Sequence, residues 1–260
     1  MITYGEGFGP ITPRSLKDEF IELFEALILS GKFAPGDKVP SERDLGVLFG
    51  ISRPVVHEGL RALESRGLVT IESRKGARVN DYRREGSIEM LLSILNYTGG
   101  KLSQSLLDGI LELRLLFEVE TSRLAALRRS ASHVDELRSI VARERSMVES
   151  DADGRAASSR VASPRAASAR EVADIDLELH ISIAIASGNE IYPLLMNSFR
   201  RIYLAILEEF YADASVVGPV FEYHERLVEA IAASDEDGAR GVMLEMLGYS
   251  ERNLRRILFG

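Results

Sequence analysis

Two groups of side chains have the types and spacing for chemistry. In "SRPVVHEGLRALESRGLV", residues 52–69, Arg53, His57 and Arg61 recur every four residues, whereas Val56, Leu60 and Leu63 recur at intervals of four and three. On a 3.6-residue helix these are two different stripes. The apolar stripe is core, and the other is a ridge of groups that donate hydrogen bonds or carry positive charge, suited to phosphates and base edges. In "DLELH", Asp176 and His180 are four residues apart, so both meet on one helix face at a separation that can chelate one cation. His224, in "EYHERLVEAI" on an apolar-striped helix, is the third candidate ligand. Residue types alone also allow plainer readings: a solvated helix face for the ridge, and a helix-surface pair plus a core histidine for the triad.

The elements around the ridge follow from local signals. Residues 14–30 place Leu16, Phe20, Ile21, Leu23, Phe24 and Leu27 at helical spacing, and "SGKFAPGDKVP" then supplies Gly and Pro breakers. "SERDLGVLFG" opens with Ser41 as N-cap and stops at Gly50. Ser52 caps the next helix, with Pro54 in its first turn. Two short helices joined by a tight turn form a helix-turn-helix. After Gly67 the period changes to two, with Val69, Ile71, Ala77 and Val79 around the basic tip "SRKG", which predicts a hairpin. The order is that of a winged helix, whose second helix enters the major groove while the wing reaches phosphate or the minor groove. Arg53, His57 and Arg61 are then DNA-facing, as is Lys75 on the wing, with Ser52 and Arg53 at a helix N-terminus that itself favours phosphate.

The charge distribution agrees. The whole chain carries −8, but Lys38 to Arg84 holds 10 basic and 6 acidic residues, a net +4, and the remainder 22 basic and 34 acidic, a net −12. A segment that attracts phosphate is attached to an acidic one that repels it. At 260 residues and 45% hydrophobic the chain suits two domains. The absence of cysteine excludes disulfides and thiolate chemistry. No stretch approaches the roughly 18–20 apolar residues of a membrane span, and the N-terminus lacks a basic start followed by an apolar run; we expect a soluble, cytoplasmic protein with no membrane partner.

"NDYRREGS" reads as a polar linker, and from Ile88 onward apolar periodicity is helical in "SIEMLLSILNY", "LSQSLLDGILELRLLFEVETSRLAAL", "HVDELRSIVARERSMV", "REVADIDLELHISIAIAS", "IYPLLMNSFRRIYLAILEEFY", "VFEYHERLVEAIAAS" and "ARGVMLEMLGYSERNLRRIL". "DADGRAASSRVASPRAASA" has no apolar stripe and reads as a mobile loop over 151–170. The expected fold is mainly α: a winged helix-turn-helix with a small β-hairpin wing over residues 1–80, a linker over 81–87, and an antiparallel bundle of six or seven helices over 88–260 that binds an effector and dimerises.

"GDKVPSERDLGVLFGISRPVVHEGLRALESRGLVTIESRKGARV" resembles the winged-helix domain of GntR-type bacterial transcriptional regulators, continuously over residues 14–80. The resemblance implies that Arg43 and Arg53 contact operator DNA and that Gly76 lets the wing tip approach the groove. His57 stands where family members commonly carry Arg. A neutral imidazole still hydrogen-bonds a base edge, without the two-pronged grip of a guanidinium on guanine. The helical part resembles the effector domain of the FadR subfamily, called FCD, with "DLELH", "SGN", "YHERLVEAI" and "SDEDGARGVMLEML" in order. That resemblance implies a divalent cation, zinc, manganese or nickel, on Asp176, His180 and His224. Met246 replaces the family's last histidine, and thioether is a poor ligand for such ions, so three protein ligands leave a position for water or a carboxylate effector. It also implies that Arg114, by spacing alone an i,i+4 partner of Glu118, holds the effector carboxylate.

The leading reading is a homodimeric repressor that binds double-stranded operator DNA and is released by a small carboxylate. The rival is a metal-dependent enzyme with an attached nucleic-acid-binding domain. Against the rival, the chain has no HExxH, nucleophile elbow or P-loop, and no obvious general base beside the three ligands. A turnover screen separates them, because a sensor leaves its ligand unchanged.

Overall fold

The computed structural model describes residues 15–73, 75–87, 90, 93, 94, 102–156 and 168–260. The chain divides into two compact units, Met1–Lys101 and Leu102–Gly260. In the first, α1 (Leu16–Leu29), α2 (Glu42–Phe49) and α3 (Arg53–Ser65) are joined by short turns and followed by β2 (Val69–Glu72), β3 (Gly76–Val79) and the single turn α4 (Tyr82–Glu85). A two-residue strand, β1 (Lys38–Val39), which periodicity did not reveal, adds to the hairpin in the order β1-β3-β2, with Val39 opposite Ala77 and Val69 opposite Val79. Val56, Leu60 and Leu63 of α3 are buried with Phe20, Phe24, Leu45, Leu68 and Val79 in one core. A Cβ on Gly59 would lie 2.3 Å from the Phe20 ring, so glycine is what lets α1 and α3 approach this closely.

Caps follow local chemistry at α2 but not at every helix: Ser15, the N-cap of α1, makes no side-chain capping hydrogen bond. Ser41 accepts from Asp44 N–H, and Gly50 ends α2 in the left-handed region at φ 66°. Ser52 has extended N-cap geometry, but its side chain makes no capping hydrogen bond. The expected linker is part of the fold. Asp81 caps α4, Ser87 N–H donates to Arg66 O, and Gly67, at φ 75°, meets the Glu85 carbonyl so closely that a Cβ would sit 1.9 Å from it. Met90 and Ile94, expected in the helical domain, pack on the core of the first unit, where their apolar side chains leave water. Most of the helix expected in "SIEMLLSILNY", and Arg74 of the wing tip, lie outside the described residues.

The second unit is built from α5 (Gln104–Arg128), α6 (Ala131–Ala156), α7 (Ala169–Ala186), α8 (Ile191–Tyr211), a 3-10 turn (Ala214–Val216), α9 (Val217–Ala232) and α10 (Glu236–Phe259). α7 packs against α5, α6 and α8, and α9 against α5, α6 and α10. Ser168 and Glu171 form a reciprocal capping box at the start of α7. The expected loop over 151–170 is shorter at both ends: α6 continues to Ala156 and α7 begins at Ala169, since Ala and Arg are strong helix formers even without an apolar stripe. Residues 157–167 lie outside the described residues. No helix among the described residues is long and apolar enough to cross a membrane.

Candidate functional site

The ridge on α3 is exposed along its length, with Arg53, His57 and Arg61 on the side opposite Val56, Leu60 and Leu63. It is not a bare row of cations. Glu42, in the first turn of α2, accepts from Arg53 Nε at 3.0 Å with one carboxylate oxygen and lies 2.6 Å from His57 Nδ1 with the other. The hydrogen bonds from His57 and Arg53 hold the Glu42 carboxyl below its ordinary range. Arg61 donates to Glu64 at 2.9 Å. Arg43 and Ser52 are exposed. Lys75 stands at the wing tip, 3.5 Å from Glu72. Gly76 adopts φ 95° with only the Lys38 side chain near its Cβ direction, at 3.8 Å, so its backbone conformation and not crowding calls for glycine. Helical spacing found the ridge but not Glu42, whose role depends on how α2 docks against α3.

In the helical unit the three candidate ligands come together. Each of Asp176, His180 and His224 offers one atom within 4.8 Å of the others, and all three are buried. His180 Nε2 is 3.8 Å from Asp176 Oδ1, and His224 Nε2 is 3.7 Å from Asp176 Oδ2. The other nitrogen of each ring is held by a carboxylate: His180 Nδ1 lies 3.1 Å from Glu118 and His224 Nδ1 2.8 Å from Glu144. A carboxylate on Nδ1 orients the ring and leaves Nε2 to ligate, the arrangement that supports metal-bound histidine. Asp176 Oδ1 and His224 Nε2 are buried without a hydrogen-bond partner among the described residues. Such atoms are costly unless something polar completes them, and their chemistry, one carboxylate oxygen and one imidazole nitrogen in the same cluster, fits a divalent cation.

A second shell surrounds them. Arg114 donates to Glu118 from Nε at 2.6 Å and Nη2 at 3.2 Å, and from Nη2 to Tyr203 Oη at 2.9 Å. Burial alone would raise the Glu118 carboxyl, but Arg114 and His180 beside it lower it to about 2. Burial raises Glu144 despite His224, and it opposes charge on His224, which the neighbouring Glu144 and Asp176 nevertheless push upward. Tyr211 donates to Asp176 Oδ2 at 2.5 Å, and burial raises its phenol well above the ordinary range. Glu118, Asp176 and Glu144 thus gather around the two imidazoles, and Arg114 pairs with Glu118. Arg114, Asp176, His180, Tyr211, Met246 and Ser250 line a small cavity of about 10 Å³, so Arg114 is both the i,i+4 partner of Glu118 and a wall of the site. Glu144, Tyr203 and Tyr211 carry no signal in the sequence: each is an ordinary helix residue until the bundle closes.

The comparisons with known proteins follow the same division. The family described as "Bacterial regulatory proteins, gntR family" matches residues 16–79, and the FCD domain matches residues 109–249. The transcriptional regulator Mce2R of Mycobacterium tuberculosis is 27% identical, covering 96% of this chain and 95% of its own. The fatty acid metabolism regulator protein of Shewanella amazonensis is 30% identical over 72% of this chain and 68% of its own. The solved structure of Lar, which controls the expression of the Listeria monocytogenes agr system, covers 95% of this chain and 99% of its own at a TM-score of 0.57 and 14% identity, a likeness of fold. An exposed basic ridge on a winged helix, joined to a helical unit of this pattern, is therefore the architecture of a DNA-binding transcriptional regulator, and the chain belongs to the GntR family, with an FCD domain of the FadR type.

Proposed function

We propose that this regulator is a homodimeric repressor that lays α3 in the major groove of double-stranded operator DNA and is released by a small organic acid bound in the helical unit. Residues 1–80 carry the DNA contacts, through Arg43, Ser52, Arg53, His57, Lys75 and Gly76, and the bundle senses and dimerises. The protein acts in the cytoplasm, where its operator is, and leaves its ligand chemically unchanged.

The observation that carries the effector reading is the pair of buried orphan atoms, Asp176 Oδ1 and His224 Nε2, beside His180 and Arg114. Asp176, His180 and His224 would hold a divalent cation, zinc, manganese or nickel being suited to mixed oxygen and nitrogen ligands. The cation supplies a coordination position for a carboxylate. Arg114, which lines the cavity and uses Nε and Nη2 for Glu118 and Tyr203, would bind the second oxygen through Nη1. Met246 is buried and lines the cavity, a neutral thioether that leaves the protein's ligands at three. A cavity of about 10 Å³ has room for on the order of one water, so an acid enters only if the side chains that line it move apart, and the shorter the acid the smaller that movement.

The test is metal analysis of protein never exposed to chelator, paired with thermal shifts against a panel of two- to four-carbon carboxylates before and after chelation. About one ion per chain is expected, with stabilisation by at least one acid that disappears on chelation. A metal-free protein with normal acid binding overturns the cation reading. Consumption of the stabilising acid, followed by NMR, would favour the metal-dependent enzyme instead.

A further inference from the structure

The Glu42 contact specifies more than the position of two side chains. Its carboxylate is divided: one oxygen takes Arg53 Nε at 3.0 Å, and the other lies 2.6 Å from His57 Nδ1. The hydrogen bonds from His57 and Arg53 keep it ionised, and an ionised carboxylate only accepts, so the proton in the 2.6 Å contact belongs to Nδ1. The acceptor role of Nε2 requires the neutral ring, in which Nδ1 carries the single N–H. Nε2 then carries a lone pair, and it has no partner among the described residues on a side chain that is half exposed. Arg61, one turn further along the ridge, is engaged by Glu64 and does not compete for it. In the major groove, guanine offers acceptors at N7 and O6, whereas hydrogen-bond donors are the amino groups of cytosine N4 and adenine N6.

We propose that Glu42 is a positioning residue for sequence readout: by taking the Nδ1 proton it makes His57 Nε2 an acceptor, so this regulator reads an amino-bearing base, cytosine or adenine, where an arginine would read guanine. The inference rests on the docking of α3 proposed above and adds to it the sign of one hydrogen bond.

The test starts from an operator selected by the wild-type protein from random duplexes at pH 8. Single atoms are then deleted at each position of a half-site: purine for adenine or 2-pyrimidinone for cytosine removes the amino group, and 7-deazaguanine removes N7. One amino deletion per half-site should weaken wild-type binding about fivefold, the worth of one net hydrogen bond, and should leave the affinity of His57→Ala unchanged. In Glu42→Gln the amide can donate to Nδ1 and move the ring proton to Nε2; this variant should lose the amino penalty and select a different base at that position. A His57-dependent penalty from 7-deazaguanine in the wild type, no His57-coupled penalty anywhere, or an unaltered selection profile for Glu42→Gln would each overturn the inference. Arg53→Ala separates this from the docking model. If it weakens operator binding while the amino coupling is absent, the Glu42 inference alone fails; if Arg53→Ala and His57→Ala both bind as the wild type does, the docking of α3 fails as well.

Discussion

At the scale of single residues, the helical unit shows how far a ligand set depends on what stands behind it. Asp176 and His180 were legible because i and i+4 share a helix face, and His224 because histidine is rare in this chain, with 4 in all. Glu144 was not, since it sits in "RERSMV" among residues of a solvated helix and reaches His224 only across the packed bundle, 80 residues away in sequence. Glu144→Ala removes the acceptor that orients His224 and should cost on the order of 10–100-fold in cation affinity, measured by competition with a chromophoric chelator; an unchanged affinity would place the ion elsewhere. Met246→His works in the opposite direction, adding an imidazole to the cavity wall, and should tighten the cation in the same assay. Arg114 needs a different comparison. It and Glu118 are both buried, so Arg114→Ala leaves a buried carboxylate without its guanidinium, held only by His180 and Tyr203, and should destabilise the unit by about 3–5 kcal/mol, read from denaturant unfolding. A loss below about 1 kcal/mol, the worth of an exposed pair, would show that the pair is solvated.

At the scale of elements, the winged helix could be read almost entirely from local chemistry because each boundary has its own signal: Ser41 and Gly50 around α2, Pro54 inside α3, the change of period after Gly67. What sequence reading missed there is whatever two elements do together. β1 is too short to have a period, and its pairing with β3 is decided by where the chain returns after α1. Glu42 acquires its meaning from α3. "DADGRA" reads as a loop by its polarity, yet α6 continues through it. The contact between α1 and α3 offers a direct test of which effect dominates. Replacing a helical glycine with alanine ordinarily gains about 0.5–1 kcal/mol. At Gly59 the new methyl would lie 2.3 Å from the ring of Phe20, and Phe20 is itself buried against Phe24 and Phe49 with nowhere to turn. Overpacking of this kind costs about 1–3 kcal/mol, so Gly59→Ala should lower stability despite its better helix propensity. A raised melting temperature would mean that α1 yields.

At the scale of the whole molecule, the division of charge is the property that composition alone conceals. A net −8 argues against DNA, whereas +4 over Lys38–Arg84 and −12 over the remainder give each unit its own electrostatic task. Operator binding should accordingly fall steeply with salt, because each neutralised phosphate releases condensed counterion, while effector binding in the buried, weakly screened site should change little. The same separation governs Arg53→Ala. Arg53 is exposed and contributes nothing to the core, so the variant should fold as the wild type does and keep the assembly and acid-binding behaviour proposed for it. On the operator it should lose about 1–3 kcal/mol per half-site if its guanidinium contacts a base edge, and that loss should depend on the operator sequence. If Arg53 instead contacts phosphate, the loss is uniform across sequences and the salt slope falls by about one per site. Titrations of operator and scrambled DNA between 50 and 200 mM salt distinguish these outcomes, and unchanged affinity for both would remove α3 from the groove.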